Sequence, residues 1–69
     1  MVTTNNMWFR KFSKACVKYN FSFELNTYNN TLNMVLRPNY MLDVIIRLKD
    51  TSYRKLFKNS IKVMKEYRQ

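Results

Sequence analysis

Four lysines near the C-terminal end of the chain form its clearest chemical pattern. Lys55, Lys58, Lys62 and Lys65 follow the spacing i, i+3, i+7, i+10, which places residues on one face of an α-helix. Ammonium groups bind phosphate oxygens, and each phosphate contact releases condensed counterions. The spacing therefore predicts a cationic helix face for an anionic partner, of which the backbone of RNA or DNA is the commonest.

A second group of basic residues lies near the N-terminal end. Together with Arg54 the two groups supply nine candidate nucleic-acid-binding residues: Arg10, Lys11, Lys14, Lys18, Arg54, Lys55, Lys58, Lys62 and Lys65. The alternative is that these side chains only solvate two helix surfaces, and the sequence leaves that alternative open. An acidic protein surface and a membrane surface are further, less favoured candidate partners for such a face.

The overall composition supports a binding protein over an enzyme. Lys and Arg total 13 against four Asp and Glu, giving a formal charge of +9. The chain has no His and no Gly. It therefore lacks the usual proton shuttle near neutral pH and the glycine-rich loop that cradles phosphate. We expect no catalytic residues, no metal site and no cofactor.

Three remaining reactive side chains have simpler interpretations. Glu24 and Asp43 are expected to be exposed on a sheet, close to Arg37 and Arg47, where ion pairing is the simplest role. Cys16 falls on the apolar side of a predicted helix, so it is expected to be an inert, buried thiol.

The length of 69 residues predicts a single domain, residues 1–69, with a thin core. No apolar run exceeds three residues and no apolar block follows the N-terminus, so we expect neither a membrane span nor a secretory signal. The expected location is the cytoplasm. Asn and Lys, read from AT-rich codons, are frequent, and this suggests an AT-rich genome such as that of many bacteriophages or low-GC bacteria.

The first positioning element is a predicted helix from about Asn6 to Tyr19. Its apolar side consists of Trp8, Phe12, Ala15, Cys16 and Tyr19, with Phe9 at the margin. Asn5 or Asn6 is expected to cap the start, and Asn20 to end the helix. The aromatic residues at helical spacing are interpreted as core residues, with base stacking as the less favoured role.

A β-hairpin follows, because the period changes from that of a helix to strict alternation. Phe21–Tyr28 and residues 32–37 alternate apolar and polar side chains on either side of Asn29-Asn30. Asn tolerates the positive φ that a two-residue turn requires. This turn pairs Leu25 with Met34 and Phe23 with Leu36, so that apolar residues meet on one face.

A third strand is predicted from Met41 to Lys49. A three-residue loop, Pro38-Asn39-Tyr40, would pair Leu36 with Leu42 and Met34 with Val44. A helix over the same segment is disfavoured by the β-branched run of residues 44–46.

A second helix is predicted from Tyr53 to about Arg68, started by residues 50–52. Its apolar side consists of Tyr53, Leu56, Phe57, Ile61, Met64 and Tyr67. The chain is therefore predicted to be an α+β domain of order α-β-β-β-α, a three-stranded antiparallel meander with both helices on one face. The expected core face of the sheet consists of Phe23, Leu25, Met34, Leu36, Val44 and Ile46.

This order of elements resembles the double-stranded RNA-binding domain. In that family the second helix starts with a Lys-Lys-x-Ala-Lys motif that holds phosphates, and Arg54-Lys55-Leu56-Phe57-Lys58 has basic residues at the same positions. The resemblance implies RNA binding through Arg54, Lys55 and Lys58. Phe57 replaces the family's small Ala, and the short Asn29-Asn30 turn replaces its longer, Gly-Pro- and His-containing hairpin.

Apolar residues on the other face of the sheet suggest a second kind of surface. A patch of Tyr28, Val35, Met41 and Ile45 is predicted as a protein interface, for a homodimer or for a host protein. The alternative, which the sequence leaves open, is that these residues are ordinary exposed apolar surface. The sequence thus supports two functional hypotheses. One is a module that binds nucleic acid or a ribonucleoprotein. The other is a phage-type inhibitor, such as an anti-defence protein, that binds a host complex.

Overall fold

The computed structural model describes the backbone of residues 3–41 and 43–67, and the side chains of residues 7–41 and 43–67. The elements are α1 (Thr3–Tyr19), β1 (Phe21–Tyr28), β2 (Thr31–Pro38), β3 (Ile46–Asp50) and α2 (Tyr53–Tyr67). The strands form one antiparallel sheet of order β1-β2-β3, and both helices cover one of its faces. The predicted α-β-β-β-α fold is confirmed.

Helix α1 begins three residues earlier than predicted, so Asn5 and Asn6 lie inside the helix and neither caps it. Threonines are tolerated in the first turn, where backbone amides have no intrahelical partner. Asn20 ends the helix as expected, with a φ of 62° in the left-handed region. Its side-chain oxygen accepts a hydrogen bond from Asn39 Nδ2 at 2.9 Å, which ties the start of β1 to the end of β2.

The hairpin has the predicted register. Leu25 pairs with Met34 and Phe23 with Leu36, and Asn29 and Asn30 have φ angles of 51° and 61°. Two consecutive left-handed residues match the twist of the flanking strands. The pattern of side chains and the turn chemistry therefore specified the same pairing.

The predicted register of the third strand is wrong by four residues. Leu36 pairs with Ile46 and Met34 with Leu48, and residues 39–45 form the connection. Val44 lies in that connection, and Leu42 lies outside the described residues. A shift of four is even and leaves each side chain on its predicted face, so alternation alone could not detect the error.

Pro38 explains where the pairing between β2 and β3 stops. Asn39 N donates to Asn20 O at 2.9 Å, one step beyond the Phe21–Pro38 pair. Hydrogen-bonded and non-hydrogen-bonded residue pairs alternate along an antiparallel ladder, so the even-numbered residues of β2 direct their amides toward β3. Pro38 has no N–H to donate, so the connection turns away, with Met41 N bonded to Pro38 O at 3.1 Å.

Helix α2 starts as predicted. Asp50 Oδ1 accepts a hydrogen bond from Ser52 N at 3.0 Å, and Ser52 Oγ accepts one from Lys55 N at 3.4 Å. These bonds satisfy amides that the first helical turn leaves without partners. Buried Ser60, which the apolar pattern missed, donates to Leu56 O at 2.8 Å.

The core is centred on β2. Met34 and Leu36 are fully buried beneath Phe12, Leu56 and Met64. Phe23 was expected in the core, but it lies on an edge strand and keeps 37% of its surface exposed. Its ring still contacts Phe12, with centroids 4.8 Å apart. Leu25 and Ile46 are half-buried for the same reason, since they lie on the outer strands.

Candidate nucleic-acid interface

The basic residues of α1 lie opposite its buried side. Phe12, Ala15 and Cys16 pack inward, and this fixes the rotation of the helix. The side chains of the four predicted cations are all exposed: Arg10, Lys11, Lys14 and Lys18. Two of them also contact rings, with Lys11 Nζ 4.7 Å from the Trp8 ring centroid and Lys18 Nζ 5.4 Å from that of Tyr19. Such contacts hold the ammonium groups near the helix surface and leave them hydrated.

Helix α2 repeats this arrangement. Its buried side consists of Leu56, Phe57, Ser60 and Met64, and its five predicted cations are exposed: Arg54, Lys55, Lys58, Lys62 and Lys65. The helix contains one acid, Glu66, one turn beyond Lys62. Its exposed surface is therefore strongly positive over the full length of the helix.

Both helices run in the same direction along the same face of the sheet. Asn20 alone joins α1 to β1, and two residues join β3 to α2, while β1 and β3 are both antiparallel to β2. Each helix therefore runs back along the strand beside it. The buried sides face the sheet, so the exposed cations of α1 and α2 lie on the side of the molecule away from it. We call these nine residues the cationic face.

The outer face of the sheet is less charged. Arg37 Nη1 lies 3.7 Å from Glu24 Oε2, as expected for a cross-strand ion pair. Arg47 is opposite Val35, and Lys49 is opposite Asn33, so neither cation meets an acid across the sheet. Asp43, which was expected on this face, lies in the connection before β3.

The four residues predicted as one interface patch are divided between different parts of the molecule. Tyr28 is 72% exposed, and Val35, on the same outer face, is half-buried. Met41 lies instead beside α2, where its sulfur accepts a hydrogen bond from the Tyr67 hydroxyl at 3.7 Å. Ile45 is exposed in the connection that precedes β3.

A shallow depression of about 290 Å³ on the outer face was not predicted from the sequence. It lies between β2 and β3, and its lining includes Val35, Arg47 and Lys49. The missing signal was the true register of β3, which decides the residues that stand opposite Arg47 and Lys49.

Cys16 is buried against the sheet, as predicted. Burial disfavours the charged thiolate and raises the pKa of the thiol from 9.0 to about 11. The site therefore keeps the sulfur protonated and unreactive at neutral pH.

The pKa of Cys16 predicts slow alkylation in the folded protein. Because the pKa rises from 9.0 to about 11, the thiolate fraction at neutral pH is about 100-fold lower in the folded protein. Iodoacetamide should therefore label the folded protein at least about 100-fold more slowly than protein unfolded in urea. Labelling followed by mass spectrometry measures the alkylation rate, and equal rates in the folded and unfolded states would contradict the buried position.

The raised pKa of Cys16 also predicts that the protein becomes less stable as pH rises from 9.0 to about 11, because the thiol of the unfolded state loses its proton first.

No helix in the described part of the chain is long and apolar enough to cross a membrane. Comparisons with protein-family models, with curated proteins and with solved structures gave no significant match.

Proposed function

We propose that this protein is a non-catalytic, nucleic-acid-binding module that contacts the phosphate backbone of RNA or DNA, free or in a ribonucleoprotein, through its cationic face. The observation that carries the proposal is the alignment of nine exposed cations on one side of a domain of 69 residues. The proposed place of action is the cytoplasm, where a buried thiol stays reduced.

The energetics favour a binding role for this face over a structural one. A surface lysine contributes little to stability, and like charges placed close together repel. Concentrating cations on one side therefore lowers the stability of the free protein. When a polyanion binds, the same cations become favourable, because each phosphate contact releases counterions and adds affinity.

The dimensions of the molecule suit a double helix. Its longest extent is 36 Å and its shortest is 15 Å, so the molecule is broad and flat. At about 3.4 Å per base pair, 36 Å spans roughly ten base pairs, or one helical turn. A molecule of this length can make about five to eight phosphate contacts.

Salt dependence of binding tests the proposal directly. Fluorescence anisotropy with labelled duplex RNA, duplex DNA and single-stranded RNA should show binding by the purified protein alone. With five to eight contacts, log affinity for a duplex should fall against log salt concentration with a slope of roughly −4 to −7.

A slope near zero would show that the cations only solvate the helices. Binding that requires a host protein and persists after nuclease treatment would instead support an inhibitor that acts by protein–protein contact. In that case charge reversals on the cationic face would leave binding to the host protein unchanged.

A further inference from the structure

Strand β1 has a free edge within the described part of the chain. The sheet order is β1-β2-β3, so β1 pairs on one side only. The bond from Asn39 N to Asn20 O sets the alternation of the ladder, in which even-numbered residues of β1 bond to β2. The N–H and C=O groups of Phe21, Phe23, Leu25 and Thr27 consequently point away from β2, toward the free edge.

This edge has only one of the features that usually prevent strand pairing, the charged side chain of Glu24. Exposed edges are normally protected by charged side chains, most often Lys, by Pro, by a bulge or by a very short strand. Phe21–Tyr28 is eight residues long and contains no Lys, Arg or Pro, and its register with β2 has no bulge. In a chain with 13 basic residues, an edge strand without one is a distinct surface.

An uncharged stripe on α1 lies beside the same edge. Phe9, Ser13 and Val17 follow the spacing i, i+4, i+8, and therefore lie along one line of the helix. The Phe9 ring is 6.3 Å from that of Phe23 on β1 and 5.6 Å from that of Phe57 on α2. Phe9 therefore lies at the inner margin of the stripe, over β1 and against the aromatic core, and Val17 lies at its solvent-exposed end. Phe9 is 43% exposed and Val17 is 84% exposed, which is unusual for apolar residues this close to a core.

We infer that this surface binds a second copy of the chain. In the resulting dimer, β1 pairs antiparallel with β1 of the second copy around Phe23, and the two α1 helices cross at Ser13. The arrangement is self-complementary, as two-fold symmetry requires. Phe9 and Val17 lie four residues on either side of Ser13, so each Phe9 meets the other copy's Val17, and the small Ser13 allows close approach.

The charges in this pairing are also compatible. Centring on Phe23 places Glu24 opposite Ser22 of the second copy, whereas a centre one residue later would place the two Glu24 carboxylates together. The cationic faces point away from the sheet, so two chains of +9 can meet where neither presents a cation on β1. The two-fold axis keeps all four helices on one side of a six-stranded sheet. The dimer therefore extends the cationic face rather than covering it.

Sedimentation equilibrium tests this dimer in the absence of nucleic acid. The wild-type protein should have twice the mass of the 8.5 kDa chain, with dissociation on dilution. Val17→Lys should give a monomer, because it places an extra cation against the other α1. Asn59→Lys is the matched control, since it adds the same charge at an exposed site of α2 and should remain dimeric.

Disulfide crosslinking tests the geometry. In a Cys16→Ser background, Ser13→Cys should form a covalent dimer on mild oxidation. Lys14→Cys, one residue further along but directed away from the sheet, should remain largely uncrosslinked. A monomeric wild-type protein at all concentrations, or equal crosslinking of both variants, would overturn the inference. Because monomeric Val17→Lys retains every residue of the cationic face, its duplex binding reports on the proposed function separately.

Discussion

Replacing both Lys58 and Lys62 with Glu should reduce duplex affinity by at least about 100-fold while leaving the protein folded. Each reversal removes a phosphate contact and adds repulsion, so the slope of log affinity against log salt should become shallower by about 2. Both side chains are exposed, and exposed substitutions usually change stability by less than about 0.5 kcal/mol each. Anisotropy titrations and thermal unfolding measure the two effects independently.

The outer face of the sheet provides the control. Arg47→Glu combined with Lys49→Glu changes the net charge by the same amount, at exposed positions that have no acid opposite them. This variant should keep most of the wild-type affinity if binding occurs on the cationic face. Equal losses in the two double variants would show that only net charge matters, and full affinity after reversal of Lys58 and Lys62 would exclude α2 from the interface.

Leu36→Ala should destabilise the protein by about 2–5 kcal/mol, because it opens a cavity in the middle of the core. Leu36 is fully buried on the central strand. A domain of 69 residues has a total stability of roughly 3–10 kcal/mol. The substitution therefore removes a large share of the total, and a substantial fraction of the protein should be unfolded at 37 °C. Urea unfolding followed by circular dichroism measures the change.

Two further variants locate the core. Phe23→Ala should cost less than Leu36→Ala, because over a third of the Phe23 side chain is already exposed. Val35→Ala, next to Leu36 but on the outer face, should cost less than about 1 kcal/mol. If Phe23→Ala proved the most damaging of the three, the aromatic cluster around Phe12, rather than the central strand, would be the main source of stability.

The parts of the fold that were predictable are those where two local signals coincide. The β1–β2 hairpin is specified both by alternation and by Asn29-Asn30, whose side chains tolerate positive φ. Likewise, α2 is specified both by its amphipathic spacing and by Ser52, which caps it. Either signal alone would have left the bounds of these elements uncertain.

The register of β3 was not predictable from the same rules. Apolar residues alternate from Leu42 through Leu48, so several even shifts bury an equally apolar set. The decision depends on Pro38, whose missing N–H matters only once the direction of its amide is known. Phe23 was misjudged for a related reason, since alternation identifies a face but not whether its strand is central or at an edge.

The candidate site shows the same division. The apolar sides of α1 and α2 are buried, and the nine cations on the opposite sides are exposed. Helical spacing was therefore sufficient to predict which side of each helix the cations occupy. The predicted patch failed to assemble because Met41 lies in the connection beside Tyr67. Its position is set by a loop, and loops carry no periodicity from which a position can be predicted.

The parallel course of α1 and α2 has a consequence for how the protein meets a partner. Parallel helix dipoles add, and each places partial positive charge at its N-terminal end. The cations on one side of the molecule add a separate dipole, which is perpendicular to the sheet and has its positive end at the helices. Electrostatic forces reach further as the salt concentration falls. In dilute salt, a polyanion therefore exerts a torque on such a dipole before the two molecules touch. Under the proposed function, the cationic face would therefore turn toward the polyanion before contact, and the rate of productive encounter would rise without any change in the bound state.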